Sequence, residues 1–270
     1  MLKLYHHGSS VCAAKVRMFL DEKEIEWEGV YIDILKGDQF QANYLKINPK
    51  AVVPTLVHNK AVIRESTVIC EYIENVFPEP FIRPQNPIEC AEVMYWTKGV
   101  DEDLHPACAA LTFMASHRHT INRLGKEGVK EFLESTPPFS VSPDWHEQKK
   151  IYVREAFKAP DAAKKVKLYD DYISKMENAL SENDWLVGKH FSLADIAMVP
   201  YIVRLDMLKM SEMWEGGRRP NVKHWFDKVK IRPSYQSALL KWVPNELKQD
   251  LNRNGAESWP DVAKILEISV

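Results

Sequence analysis

The segment from residue 52 to residue 72 constrains the fold of this chain more than any other stretch. Its pattern predicts a strand at about 53–58, a tight turn, and a second strand at about 61–64. Ser66 then opens a helix and can act as its cap. Pro54 stands at the mouth of the first strand, where proline removes a ladder donor and is typical of a deliberate bend. The apolar positions of the helix fall at helical spacing: Val68, Ile69, Tyr72, Ile73 and Val76.

The bend at Val53-Pro54 and the start of the following helix together predict a binding site. The proline leaves the backbone of Val53 free to pair with an extended peptide, as in strand addition. The helix start after Glu65 carries unpaired N–H groups and the positive end of the helix dipole, which suit a carboxylate. A strand edge beside such a helix start predicts a site for a small acidic peptide.

The residues before this segment complete a small α/β layer. Residues 2–5 predict a strand, residues 11–23 a helix, and residues 27–32 a second strand parallel to the first. The order strand–helix–strand, short helix, strand–strand–helix predicts a thioredoxin-like fold with a mixed sheet between helices. The inner face of the first helix is predicted to consist of Ala13, Val16, Phe19 and Leu20.

A proline-rich stretch separates this layer from the rest of the chain. Residues 77–87 carry four prolines and cannot form a regular helix, so we predict a linker there. The sequence beyond it predicts helices throughout, beginning with one long helix at 91–114. We therefore expect two domains, a thioredoxin-like domain at 1–80 and an all-helical domain at 88–270.

Three further features are predicted in the helical part. Ser192 and Asp195 form a near match to a capping box, which marks the start of a helix. The polar run at 135–140 contains two prolines and predicts a surface excursion. Residues 233–241 predict one more helix near the C-terminal end.

The charge pattern argues against several kinds of partner. The chain has 36 basic and 38 acidic residues, without the blocks of like charge that favour nucleic acid or an anionic membrane. No stretch approaches the roughly 18 consecutive apolar residues that a membrane-spanning helix needs. The first residues run straight into a strand pattern and lack the plan of a signal peptide. We expect a cytoplasmic protein without nucleic-acid or membrane partners.

The cysteines and histidines do not predict a metal site. The four cysteines show neither Cys-x-x-Cys spacing nor a zinc pattern, and three of them lie among helical apolar positions that are typical of buried thiols. His6-His7 and the run from His117 to His119 lack a carboxylate or cysteine at a useful spacing. We therefore expect surface histidines and no bound metal.

Short motifs identify a family that this chain resembles. The pairs Asn48-Pro49, Val53-Pro54 and Glu65-Ser66, followed by a helix, resemble the glutathione-binding domain of the glutathione transferases. The resemblance extends along nearly the whole chain. Residues 65–79 and 96–102 resemble the bacterial glutathione-dependent β-etherases. The similarity to tetrachlorohydroquinone dehalogenase lies in Ser10-Val11-Cys12, residues 50–57 and residues 192–196.

The resemblance implies that glutathione is the cosubstrate and indicates which residues hold it. Glutathione would lie along the main chain of Val53, with a cis peptide bond before Pro54. Glu65 and Ser66 would hold its γ-glutamyl end, with Ser66 taking the carboxylate and Glu65 helping with the amine.

The glycyl end of glutathione is implied to lie near two polar residues. Gln39 aligns with a residue that contacts the glycyl carboxylate in several classes of the family, and Lys50 could screen the same charge. Val52 departs from many relatives, which have Gln or Lys at this position. One contact to the glycyl end is therefore expected to be missing.

Two residues are candidates for activating the glutathione sulfur. Ser10 resembles the serine that donates to this sulfur in serine-type transferases. Such a hydrogen bond contributes about 1.5–3 kcal/mol, which lowers the thiol pKa by about one to two units. Cys12 aligns with the cysteine of the dehalogenase, where a first-turn thiolate could exchange with a mixed disulfide. Ser9 is a neighbouring alternative to Ser10, and the choice between Ser10 and Cys12 stays open.

The resemblance implies a two-domain glutathione transferase acting on an aromatic-derived substrate. The glutathione thiolate would attack an electrophilic carbon and displace a phenol from a β-aryl ether. The alternatives are a reductive dehalogenase of halogenated hydroquinones, a glutathione-dependent isomerase and a non-catalytic binding module. The family also implies a homodimer. The acceptor pocket would lie between the first helix and the long helix, lined by His105, Cys108, Phe113, and Trp242 or Trp259.

Overall fold

The N-terminal layer is built on one sheet of short strands. The computed structural model describes residues 1–268, and the strands in that range are β1 (Leu2–His6), β2 (Glu28–Tyr31), β3 (Thr55–His58) and β4 (Ala61–Arg64). Their order in the sheet is β2-β1-β3-β4. β1 and β2 run parallel, as predicted for strands joined by a helix, whereas β1 pairs with β3 and β3 with β4 in antiparallel fashion.

Helices pack on this sheet and bury the faces that the periodicity predicts. They are α1 (Val11–Glu22), the short α2 (Ala42–Leu45) and α3 (Ser66–Val76). α1 lies against α3, and the prediction of its inner face is confirmed because Ala13, Val16, Phe19 and Leu20 are buried. The mixed sheet with its helices is the thioredoxin-like layer that was predicted from the order of the elements.

The start of α3 differs from the prediction by one residue. The cap position is Glu65, whose φ is 66°, and Ser66 is the first residue of the helix. The side chain of Glu65 makes no capping hydrogen bond. Val68 and Val76 fall at helical spacing with the buried Ile69 and Ile73 but are 54% and 40% exposed. The reason is that α3 covers the sheet with a narrow face, so residues on its flank reach solvent.

The linker is attached to the N-terminal layer by one buried lysine. The side chain of Lys23 is buried and its Nζ lies 2.8 Å from a carboxylate oxygen of Glu74. The same ammonium donates to the carbonyls of Pro78 and Pro80, at 2.9 and 2.7 Å. These bonds satisfy the three donors of the ammonium. The proline-rich stretch is therefore held in a defined path.

The remainder of the described chain is helical, which confirms the predicted pairing of a thioredoxin-like domain with an all-helical domain. Within residues 1–268, no helix combines the length and the apolar composition needed to cross a bilayer. The boundaries predicted at residues 80 and 88 stay predictions. The helices are α4 (Pro87–Gly99), α5 (His105–Thr112), α6 (Arg118–Asn122), α7 (Gly125–Glu134), α8 (Trp145–Glu155), α9 (Ala162–Leu180), α10 (Leu193–Met207), α11 (Pro220–Lys230) and α12 (Asn245–Ile265).

The long helix predicted at 91–114 extends further in both directions. It begins at Pro87, because proline is tolerated at the first helical position and the side chain of Asn86 accepts from the Ile88 N–H at 2.9 Å. It continues to Asn122 through two π-helical turns, Val100–Leu104 and Phe113–His117. Each π turn widens the helix locally, and π turns are often found at functional sites.

The helix predicted at 233–241 is present as a helical segment that is mostly of the π and 3₁₀ types. The structure has a π turn at Tyr235–Leu239 followed by a 3₁₀ turn at Leu240–Trp242. Arg17 Nε donates to the carbonyl of Ala238 at 2.7 Å, one of the last carbonyls of this segment, which lack intrahelical donors. The bond attaches the end of the segment to α1.

The capping box predicted at the start of α10 is confirmed. The Ser192 side chain accepts from the Ala194 N–H at 3.3 Å, and Asp195 accepts from the Ser192 N–H at 3.0 Å. α10 is buried along almost its whole length and contacts α1, so it is the central helix between the two domains. It carries Arg204, a buried charge, on the side that meets residues 9 and 10.

Candidate active site

The structure gathers most of the predicted glutathione-binding residues around one cleft. The cleft lies between the bend at Val53-Pro54, whose peptide bond is cis as predicted, and the start of α3. Asp101 and His105 line it from the helical domain. Six of the predicted site residues line it, namely Cys12, Lys50, Val53, Pro54, Glu65 and Ser66. Ser10 and Gln39 line an adjoining cavity that shares Val53 with the cleft.

A network of hydrogen bonds holds the loop before the cis bond. The Tyr44 hydroxyl and the Asn48 amide both donate to the Val52 carbonyl, at 2.6 and 3.0 Å. Both groups also form hydrogen bonds with Thr55 Oγ1, at 3.2 and 3.0 Å. Within residues 1–268 the Val53 N–H has no hydrogen-bond partner. The loop therefore presents an unpaired donor on a fixed backbone, which is the edge that an extended peptide requires.

Ser10 caps α1 and faces the bend. Its Oγ accepts from the Ala13 N–H at 3.1 Å and donates to the Val53 carbonyl at 3.2 Å. A serine hydroxyl has one hydrogen to donate. Donation to a sulfur in the cleft would therefore replace the bond to Val53, while the capping bond stays in place.

Cys12 forms a pair with a histidine that the sequence analysis placed only as a lining residue. Cys12 Sγ lies 3.5 Å from His105 Nδ1 and 3.9 Å from the Tyr201 hydroxyl. Burial raises the pKa of the Cys12 thiol, but the charge and hydrogen bond of His105 outweigh it and the net pKa is lowered. The pKa of His105 is correspondingly raised by Cys12 despite burial. This geometry favours a thiolate–imidazolium pair.

A buried lysine links the first helix to the helical domain beside this pair. The side chain of Lys15 is buried, and its Nζ lies 2.8 Å from Asp101 Oδ1 and 3.0 Å from Thr67 Oγ1. The positive charge of Lys15 also favours the Cys12 thiolate. The carboxylate of Asp101 is thereby fixed at the rim of the cleft.

The start of α3 has the form that a γ-glutamyl carboxylate requires. Ser66 is 6% exposed and is the first residue of the helix, where the first N–H groups lack intrahelical acceptors. Lys50, predicted to screen the glycyl carboxylate, lies 2.7 Å from Glu65 Oε1. Both side chains of this pair are more than half exposed, so its contribution to stability is small. The structure thus places Lys50 beside Glu65, and its role toward glutathione stays a prediction.

Gln39 occupies a different environment from the other predicted binding residues. Its side chain is buried and its Nε2 donates to the Ile34 carbonyl at 3.1 Å. Among the described residues its Oε1 has no partner. The amide lies in the wall of the cavity next to Val53, on the side away from α3.

The cavity beside Ser10 has the features predicted for an acceptor pocket. It encloses about 140 Å³, and the predicted residues His105, Cys108 and Phe113 all line it. Trp242 packs instead against His6, with ring centroids 4.6 Å apart, and Trp259 also lies outside this lining. The polar run predicted as a surface excursion folds over the cavity, since Thr136 is buried and residues 136, 137 and 140 line the wall.

A polar cluster at the floor of this cavity was missed by the sequence analysis. Ser9 Oγ lies 2.8 Å from His117 Nε2, and Arg204 donates to the Ser9 carbonyl and hydroxyl. His117 was predicted at the surface, as were His6 and His7, but these three are buried. The error arose because their burial depends on distant residues, such as Trp242 against His6 and Ser9 against His117. One available signal was Arg204, a single charge within an otherwise apolar run.

The histidines do not form a metal centre. Across residues 1–268, no group of three or more His, Cys, Asp and Glu side chains is placed to share an ion. Burial lowers the pKa of His117 well below its ordinary value, so its ring is neutral. The pKa of His6 is also lowered, to about 3, by burial and by the nearby Arg17 charge.

Comparisons with known proteins match both halves of the chain. The family model for the glutathione S-transferase N-terminal domain matches residues 4–81, and that for the C-terminal domain matches residues 135–233. The chain belongs to the glutathione S-transferase family. The family uses glutathione as its cosubstrate. The unpaired Val53 N–H and the helix start at Ser66 fit a peptide with an acidic head, so the residues present suit this ligand.

Relatives of this glutathione S-transferase indicate which branches it is similar to. It is 29% identical to Protein LigF of Sphingobium sp. (strain NBRC 103272 / SYK-6), over 94% of this chain and 99% of that protein. The crystal structure of Beta-etherase LigF matches with a TM-score of 0.79, covering 89% of this chain and 99% of that one. The tetrachloro-p-hydroquinone reductive dehalogenase of Sphingobium chlorophenolicum is 24% identical, over 90% of this chain and 97% of that protein.

Proposed function

We propose that this transferase is an enzyme that cleaves β-aryl ethers with glutathione and releases a phenol. The observation that carries the proposal is the extent of its likeness to Beta-etherase LigF, which runs along nearly the whole of both chains. The geometry is compatible with this chemistry, because a hydroxyl at the start of α1 faces the backbone bend beside a pocket with aromatic walls. Glutathione supplies the thiolate nucleophile for such a displacement.

Three residues have defined tasks in this proposal. Val53 binds the cosubstrate through its main chain, and the helix start at Ser66 holds the acidic head. Ser10 donates its hydroxyl hydrogen to the sulfur and thereby lowers the thiol pKa. The phenolate leaves from the attacked carbon with the electron pair of the C–O bond and takes up a proton from solvent.

The Cys12–His105 pair favours a second candidate, reductive dehalogenation. In that reaction the Cys12 thiolate would attack the sulfur of an aryl–glutathione thioether and form a mixed disulfide with glutathione. The arene leaves with the electron pair of the C–S bond and takes a proton. A second glutathione then restores the Cys12 thiol and departs as glutathione disulfide, so the arene is reduced and glutathione is oxidised. His105 supports this role because it favours the thiolate.

The two candidates predict opposite outcomes for the substitution Cys12→Ser. Turnover with glutathione is measured on a panel of β-aryl ether dimers and on a panel of halogenated hydroquinones. For ether cleavage we expect Cys12→Ser to retain activity within about threefold, because displacement needs no protein thiol. Dehalogenation would stop after the aryl–glutathione thioether, since no resolving thiol remains. His105→Ala serves as a matched variant that keeps Cys12 but removes the group favouring its thiolate.

Three results would contradict the proposed function. A wild-type protein that turns over hydroquinones but no ether dimer would support the dehalogenase instead. Retention on immobilised glutathione without turnover on either panel would support a binding module. Loss of ether cleavage in Cys12→Ser, with folding intact by circular dichroism, would place the thiol in the ether reaction and contradict the displacement by glutathione alone.

We also propose that two copies of the chain associate. Apolar side chains on α3 and α4 are unusually exposed, with Val68 at 54%, Ile88 at 71%, Met94 at 64% and Tyr95 at 78%. Exposed apolar surface of this kind is typical of an interface. Light scattering should give twice the chain mass of 31.2 kDa, and Tyr95→Glu should shift it toward the monomer. A single-chain mass for the wild type at micromolar concentration would refute the proposal.

A further inference from the structure

The acceptor cavity has an unusual combination of lining groups. Its walls contain aromatic rings, among them Phe113, Phe132 and Trp145. Its basic side chains include Lys149 and Arg204, while Asp and Glu do not occur among the described residues that line it. Its volume of about 140 Å³ is close to that of a cavity that holds one benzene ring. The cavity therefore fits a single ring and carries positive charge without a matching negative one.

Arg204 is buried without a counter-ion. Its residue is 4% exposed, and its Nε and Nη1 have no hydrogen-bond partner within residues 1–268. The acidic groups that act on it electrostatically are Cys108 and Tyr169. Burial raises the pKa of both groups, so they are neutral at neutral pH and do not compensate the guanidinium. Two nitrogens of a guanidinium that lines the cavity are thus buried without an acceptor.

Lys149 is a second buried cation in the same cavity. It is 4% exposed, and its Nζ donates to Thr136 Oγ1 at 2.8 Å. The ammonium lies 4.1 Å from the ring centroid of Phe132 and 5.4 Å from that of Phe113. No carboxylate of the described chain lies within 4.0 Å of it. Burial lowers the pKa of Lys149 to about 7.

Charges in such a position are costly unless something pairs with them. A buried cation that lacks a partner loses its hydration and gains little in return. His117, the neighbour on the floor of the cavity, is neutral and cannot supply negative charge. A bound anion would supply the missing negative charge, and the aromatic walls suit a ligand that carries a ring.

We propose that the acceptor cavity binds an aromatic acid, with its carboxylate at Arg204 and Lys149 and its ring between the aromatic walls. This inference rests on the proposed function only in treating the cavity as the acceptor site. It narrows the acceptor class to aromatic compounds that carry a carboxylate. A carboxylate and the two cations form charge-assisted hydrogen bonds, which are roughly twice as strong as neutral ones.

The test is a calorimetric titration of the full-length protein with benzoate and with its neutral isostere benzamide. The titration is run at slightly acid pH, where Lys149 is protonated, with S-methylglutathione present in excess. We expect benzoate to bind about tenfold or more tightly than benzamide, because the charged group gains partners that the amide does not. Equal affinities, or binding of benzamide alone, would overturn the proposal.

Variants assign the preference to these side chains. Lys149→Met and Arg204→Met should each reduce the affinity for benzoate about tenfold and leave benzamide almost unchanged. Arg204→Lys should restore part of the preference, which separates a charge effect from misfolding. Lys150→Met is the matched control, because Lys150 is adjacent in sequence but pairs with Glu134 and Glu147 outside the cavity. An unchanged benzoate affinity in both Met variants would refute the assignment.

The titration also separates two sources of carboxylate. If benzoate binds only when S-methylglutathione is omitted, the cations serve the glycyl carboxylate of glutathione, and the proposal for the acceptor is wrong. Benzoate binding is measured without turnover. A protein that binds benzoate selectively but cleaves no ether would therefore contradict the proposed function and still support an aromatic-acid site.

Discussion

Replacing Ser10 by alanine is expected to raise the pKa of bound glutathione by about one to two units. A hydroxyl that donates to a thiolate contributes about 1.5–3 kcal/mol, and one pKa unit corresponds to about 1.36 kcal/mol. The fraction of thiolate at neutral pH, and turnover with it, should then fall about 10- to 100-fold. The pKa is measured from the ultraviolet absorbance of the thiolate in the binary complex, titrated against pH.

The sign of the pH effect provides an independent check. Ser10→Ala makes the thiolate less stable, so the acid limb of the pH–rate profile should move to higher pH and activity should recover in alkali. Loss of the N-cap costs about 1 kcal/mol of stability, and Ser10→Thr, which keeps hydroxyl and cap, controls for it. A thiol pKa that stays constant in Ser10→Ala would show that the thiolate is stabilised elsewhere, with the Cys12–His105 region as the next candidate.

Replacing Asp195 by alanine is expected to lower the free energy of unfolding by about 3–5 kcal/mol. Asp195 is fully buried and accepts from the Leu186 N–H at 3.0 Å, the Ser192 N–H at 3.0 Å and the Trp225 indole at 2.8 Å. Alanine leaves these donors buried without an acceptor. Urea unfolding measures the loss, and the melting temperature should fall on the order of 10 °C.

A matched variant separates the network from the space that the carboxylate fills. Trp225→Phe removes one of the three donors and keeps most of the ring, so it should cost clearly less than Asp195→Ala. The glutathione affinity of both variants should change little at a temperature where each is folded, because the network lies outside the cleft. Equal stability losses would indicate that packing of the indole, rather than the shared carboxylate, dominates.

The fold follows from local patterns wherever those patterns are strong. The strand-turn-strand-helix order around Pro54, the inner face of α1 and the capping box at Ser192 were all predicted from spacing and residue type. The errors lie where a distant group intervenes. His6 and His117 were predicted at the surface, but Trp242 packs on His6 and Ser9 bonds to His117, and both histidines are buried.

The candidate site divides in the same way. Ser10, Cys12, Val53 and Ser66 belong to motifs a few residues long, and the resemblance to a family identified them. The residues that modify the chemistry of these groups do not belong to the same short motifs. His105 lies 93 positions from Cys12, and Arg204 lies 195 positions from Ser9.

Sequence alone was sufficient for the thioredoxin-like layer, the helical domain and the glutathione-binding motifs, because each depends on periodicity or on neighbours in the chain. Only the tertiary structure could reveal the contact between Cys12 and His105 and the cavity with two buried basic side chains that lack a carboxylate partner. The reason is physical. Burial and charge compensation depend on which side chains come together from distant helices, here Cys12 of α1, His105 of α5, Lys149 of α8 and Arg204 of α10.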